Sequence, residues 1–139
     1  MKRLGILLVM GLAVSACMGG NVFTLEEGDC FNDETEFSEE VSDVPIVECG
    51  EPHDNEVYRV VEMTDSSYPG FDATGSRADS LCLEAFETFV GTPYADSALE
   101  ISWLIPTEES WGAGDREIVC FLYRLDFQKM TGTMEGSGI

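Results

Sequence analysis

The chain has 139 residues, room for one domain and little more. Its 7 Lys and Arg stand against 27 Asp and Glu, a formal charge of −20, so the summed field repels nucleic acid and anionic lipid headgroups, and nucleic-acid binding is set aside. Such acidity gives a solvated, aggregation-resistant surface; its sharper use would be to attract divalent cations or a basic partner.

Met1, Lys2 and Arg3 form a basic head, followed over 4–13 by an apolar run too short to span a bilayer as a ~20-residue helix does. This predicts a signal peptide over 1–16. Val14, Ser15, Ala16 and Cys17 resemble the lipobox of bacterial lipoproteins, which implies lipid attachment at Cys17, palmitate being a typical acyl chain. Two acyl chains anchor stably where one binds marginally, because each buried methylene contributes ~0.8 kcal/mol. Loss of Lys2 and Arg3 with the leader deepens the acidic imbalance by two charges. Residues 17–26 are expected to be the lipidated N-terminus and a short linker, with Met18, Gly19, Gly20 and Asn21 as a leash. About ten residues reach at most ~35 Å, so a domain over 27–139 is held near the outer face of the cell membrane.

With Cys17 assigned to lipid, Cys30, Cys49, Cys82 and Cys120 remain. An even number in an exported domain predicts two disulfides. Of the three pairings, Cys30 with Cys49 and Cys82 with Cys120 is expected, closing one loop in each half of the domain. Chain entropy gives ~3 kcal/mol for the shorter loop and ~4 kcal/mol for the longer. Zinc is the competing use of four cysteines, but there is no Cys-x-x-Cys pair, and no metal or cofactor is expected.

Residues 21–43 are acidic and broken. Cys30 and Phe31 form a short apolar rung, and 34–40 a solvated loop whose carboxylates lack EF-hand spacing. Val44, Ile46 and Val47 predict a strand over 44–49, broken by Gly50 and Pro52. The run 56–63 is rich in β-branched and aromatic residues and predicts the clearest strand, with Tyr58 and Val60 on one face. Then the period changes. Ala78, Leu81, Cys82, Ala85, Phe86 and Phe89 recur at three and four, predicting a helix over 76–90 with Ser76 as N-cap and Gly91 as stop. Strands are predicted over 99–105 and 118–125, antiparallel neighbours because the link between them is too short for a crossover helix. Within that link, Thr107 caps a single helical turn. The tail, 127–139, reads as a last edge strand or as a frayed end. These elements give an α+β class: a small antiparallel sheet packed against one main helix, with two disulfides.

The stretch 49–58 holds the only histidine, His53, beside Pro52, Asp54, Glu56 and Tyr58. These residues, with Trp111, are the candidate binding residues. His53 is read as a histidine held at a bend by hydrogen bonds. A Ser-His-Asp or Cys-His hydrolase would need a nucleophile and an acid brought to that ring, and there is no Gly-x-Ser-x-Gly elbow. Trp103 is expected in the core, and Trp111, in a Gly-flanked turn, is expected to be exposed.

Taken as a set, Gly28-Asp29-Cys30-Phe31, the Cys49-x-x-Pro52-His53-Asp54 element with Glu56 and Tyr58, Tyr68-Pro69-Gly70, Cys82, Pro106-Thr107 with Ser110-Trp111, Cys120, and the closing Thr131-Gly132 with Gly136-Ser137-Gly138 resemble the septum formation domain family of actinobacterial envelope proteins. The likeness implies an extracytoplasmic domain tied to the membrane, with no established reaction. The expected function is therefore a non-enzymatic, lipid-anchored envelope module. Its partners would be the membrane, through its lipid, and an envelope protein or cell-wall component, with a link to septum formation. The alternatives are a cell-envelope hydrolase centred on His53 and a structural or cation-binding surface lipoprotein.

Overall fold

The computed structural model describes residues 20–21, 24–33 and 43–139. The signal peptide, Cys17 and the 34–40 loop lie outside these. The chain runs β1 (Gly20–Asn21), β2 (Cys30–Phe31), β3 (Asp43–Val44), β4 (Ile46–Val47), β5 (Asn55–Glu62), α1 (Phe71–Val90), a 3-10 turn (Tyr94–Asp96), β6 (Leu99–Leu104), α2 (Glu108–Gly112) and β7 (Glu117–Arg124). Five strands form one antiparallel sheet in the order β4-β2-β5-β7-β6, and β1 pairs separately with β3. The predicted class, a small antiparallel sheet against one main helix with two disulfides, is the architecture observed.

The sheet is covered on both faces. Along β7, Ile118, Cys120 and Leu122 enter the core shared with Ala78, Cys82, Phe86 and Val90 of α1, while Val119 and Phe121 join Leu25, Phe31, Val44 and Val57 on the opposite face. That alternation is the period of two expected of a half-buried strand. In β5 the period slips. A bulge between Val57 and Arg59 shifts the register, so Tyr58 faces the helix and Val60 the other side. The expectation that Tyr58 and Val60 share a face is thus corrected: the extra residue reverses the phase of everything beyond it.

Helix α1 begins five residues earlier than the spacing predicts. Gly70, at φ 96°, precedes it, and the Thr74 hydroxyl donates to the Gly70 carbonyl at 2.8 Å. Ser76 is not the N-cap; it lies inside the helix, where its carbonyl accepts from the Ser80 hydroxyl. The added stretch contains Gly75, and glycine is a poor helix former. A Cβ at that position would meet the Trp103 ring at 3.4 Å, so the glycine admits the indole. The helix stops at Gly91, as predicted, with a left-handed φ of 86° and its N–H donating to Glu87 O.

Three more expectations change. The strand over 44–49 is split at Pro45, which lacks an N–H for a ladder: β3 pairs with β1 and β4 with β2. Gly20–Asn21, placed in the leash, pair with β3, and Leu25 is buried in the core, so the folded body extends back into the expected linker. Trp111 is buried, not exposed. Its ring lies 5.8 Å from that of Tyr68, the Arg116 guanidinium sits 3.7 Å above it, and the Thr107 capping box fixes its helix, α2. Trp103 is half-buried against the main core, with its N–H donating to Asp79 at 2.7 Å. Among the described residues, no helix is long and apolar enough to cross a membrane.

Candidate functional site

The site is built on the pairing of β2 with β5. Cys30 and Glu56 are register partners, so their side chains project from the same face of the sheet. Cys30 is bonded to Cys49 (S–S 1.98 Å), which draws the bend at 49–52 over the strand ends and delivers His53 to the same place. Both His53 and Glu56 are buried, at 0% and 1% exposure. Ligand atoms of Cys30, His53 and Glu56 all lie within 4.8 Å of one another.

Each group has a defined set of contacts. His53 Nδ1 is 2.8 Å from the Glu51 carbonyl, an acceptor only, so Nδ1 carries the proton and donates. Nε2 is buried with no hydrogen-bond partner. The Glu56 carboxylate accepts from the Thr133 hydroxyl and, at 2.7 Å, from the Met134 N–H. Tyr58 donates to the Cys82 carbonyl of α1 at 2.7 Å, and burial, with Tyr94 nearby, pushes its phenol well above the usual range.

What these residues hold is the C-terminal tail. His53 and Met130 exchange both backbone hydrogen bonds, at 2.9 and 2.8 Å, and Gly132 N–H donates to the Cys49 carbonyl. Beyond Glu56, the N–H groups of Gly136 and Gly138 donate to the carbonyls of Phe89 and Val90 in the last turn of α1. Those carbonyls have no donor within the helix, so the tail completes the helix C-terminus. Met130 and Met134 are buried in the main core. The tail is neither an edge strand nor frayed. It is a strap lying across the end of the sheet and the foot of the helix.

Outside this buried part lies a polar rim. Lys129 Nζ reaches Asp54 Oδ2 and Asn32 Oδ1, both at 2.7 Å, and Asn55 donates to Asp33. Burial alone would raise the Asp54 pKa, but hydrogen bonds from Lys129 and the Asp33 N–H, with the Lys129 charge, bring it below the usual carboxylate value. Of the candidate binding residues, Pro52 is exposed and Asp54 half-buried, whereas His53, Glu56 and Tyr58 face inward. Trp111 belongs to the helix-side core, where it packs on Tyr68, and is not part of this group. Thr133 and Met134, the partners of Glu56, lie 77 and 78 residues away in sequence, and no local pattern marks them.

A buried imidazole with one committed nitrogen and a carboxylate already bonded to the tail are suited to holding structure or binding an ion. They do not form a nucleophile-base pair open to a substrate. No curated protein and no solved structure matches the chain. The sequence model of the family described as septum formation matches residues 20–120, which take in both disulfides, His53, Glu56 and α1 and end before the strap. That match spans well over half of the protein, and the chain belongs to the septum formation family.

Proposed function

We propose that the protein is a module on the outer face of the cell membrane, anchored by lipid at Cys17, that serves septum formation by binding an envelope protein or cell-wall component without catalysing a reaction. Membership of the septum formation family supports the link to the envelope and septation. The signal-peptide pattern and Val14-Ser15-Ala16-Cys17 support the anchor. The observation that carries the binding reading is the position of the His53 ring: fully buried, with Nδ1 committed to Glu51 O. A general base must come within hydrogen-bond reach of the proton it takes. This ring does not reach the surface, which weighs against a hydrolase centred on it.

The test separates the two readings. Cells carrying His53→Gln are compared with the parent for wall turnover, with the fold of the purified variant checked by near-UV circular dichroism. Unchanged turnover with a native fold is expected. Turnover lost while the fold persists would establish the hydrolase and overturn the binding module. In parallel, Cys17→Ser is expected to release the protein from the membrane, and crosslinking in dividing cells is expected to join it to an envelope or division protein.

A further inference from the structure

His53 Nε2 is a buried acceptor with nothing to accept, an arrangement that ordinarily destabilises a fold. The tautomer leaves no alternative, because the ring proton is on Nδ1 and points at Glu51 O. The same imidazole stands beside the Cys30 sulfur and the Glu56 carboxylate: one ring nitrogen, that sulfur and a carboxylate oxygen lie within 4.8 Å of one another, and all three residues are buried. A buried imidazole, a carboxylate and a sulfur so close together form a donor set for a cation. Among the described residues this is the one trio of His, Cys, Asp or Glu so placed. While Cys30 is in a disulfide, its sulfur is neutral and a poor ligand; as a thiolate it is a strong one.

We propose that Cys30, His53 and Glu56 form a zinc site that is closed by the Cys30–Cys49 disulfide and opened by its reduction, with the released Cys49 sulfur as fourth donor. Nitrogen, oxygen and thiolate sulfur together suit Zn²⁺, a borderline-soft ion that takes four ligands in a tetrahedron. The balance is simple. A dithiol reductant gives two electrons and two protons to Cys30–Cys49 and itself becomes a disulfide; Zn²⁺ then binds the two sulfurs as thiolates and their protons leave to solvent. The two disulfides differ in exposure: Cys49 is half-buried, whereas Cys82 and Cys120 are both at 0% exposure. Attack by a reductant therefore falls on Cys49 and frees Cys30. The carboxylate has more lone pairs than its two hydrogen bonds use, so Glu56 can hold the Met134 N–H and the metal together. The site is independent of which partner the module binds.

The test uses the full chain carrying Cys17→Ser, so that this thiol cannot ligate, in oxidised form and after a water-soluble phosphine, a reductant that leaves zinc free. Alkylation followed by peptide mass identifies which cysteines have opened. Zn²⁺ is titrated calorimetrically, and Co²⁺ is used as a spectroscopic stand-in whose thiolate charge-transfer absorption reports sulfur ligation directly. One equivalent is expected to bind only after reduction, with that absorption present, and affinity is expected to fall at least tenfold in His53→Gln and in Glu56→Gln. Equal binding by the oxidised chain would overturn the proposal, as would binding untouched by both substitutions, since either points to the acidic surface. A reduced, folded chain that takes no metal overturns it, and so does loss of the native fold on opening Cys30–Cys49, because the β2–β5 register must persist to assemble the donors. If either variant fails to fold, the Co²⁺ absorption of the unsubstituted chain still decides whether sulfur ligates.

Discussion

Glu56 links two distant parts of the chain through one carboxylate. It receives a hydroxyl and a backbone N–H from the strap while being 1% exposed. Truncation to Ala would leave the buried Met134 N–H without an acceptor, which costs ~1–3 kcal/mol, and adds the cavity left by the side chain. Glu56→Gln is milder: its amide oxygen can keep the Met134 N–H and its NH₂ can donate to the Thr133 hydroxyl oxygen. Only the charge assistance is lost, which is ~1–2 kcal/mol. Urea unfolding of the two variants checks the order. Equal losses would show that the carboxylate matters for its charge and not its shape. Glu56 stood out in the sequence only as a neighbour of the Cys-x-x-Pro-His-Asp stretch, and His53 only because it is unique. Their chemistry was legible, but their partners at 130, 133 and 134 were not, because nothing local ties a Gly- and Thr-rich tail to a strand over seventy residues earlier.

At the level of elements, the strap and α1 stabilise each other. Removing residues 129–139 exposes the buried surface of Cys49, His53 and Glu56, deletes Met130 and Met134 from the core and strips donors from Phe89 O and Val90 O. Two buried methionines alone are each worth ~1.5–3 kcal/mol. The expected loss of ~4–6 kcal/mol is comparable with the whole stability of a small domain. A chain ending at Gln128 should therefore show a non-native near-UV spectrum at 25 °C, and a native spectrum would mean that the strap is dispensable. A smaller test acts on one joint. Gly91→Ala meets only Gly136 Cα, at 3.9 Å, so its cost is backbone strain at φ 86°, ~1 kcal/mol in chemical denaturation. The elements that were legible had side chains that matched their period, as in β7 and the core stripe of α1. Those missed were governed by something outside the pattern: the bulge after Val57, the chain switching between sheets at Pro45, the indole against Gly75, and a tail held mostly by its own backbone. Trp111 was misplaced for the same reason, since Tyr68 and Arg116, which cover it, are not its sequence neighbours in any periodic sense.

For the molecule as a whole, the question is how 27 acidic residues tolerate one another with 7 Lys and Arg in the chain. Among the described residues there are four ion pairs, all at least partly exposed. Such pairs contribute little, so folding concentrates like charge more than it pairs opposites. Two groups of carboxylates then pull stability in opposite directions as pH changes. Burial, with Asp115, Glu62 and Glu26 close by, pushes Glu117 above its ordinary value of 4.5. The folded state therefore binds that proton first, and stability increases as pH falls through the window above 4.5. Asp126, held by the Arg124 guanidinium, lies at about 2, and Asp54 is held below 3.8 by Lys129 against the effect of burial. Their contribution is present above 3.8 and is lost as pH falls through their folded values. The two trends place maximal stability below neutrality, with a decline setting in as pH falls below 3.8. Salt should act on the same repulsion. Shortening the Debye length from ~30 Å to ~8 Å is expected to raise the melting temperature at pH 7, and to raise it less at pH 5, where part of the charge is already gone. Thermal unfolding over pH and ionic strength reads both effects together. A melting temperature that falls with added salt at pH 7 would mean that the exposed pairs outweigh the crowded carboxylates.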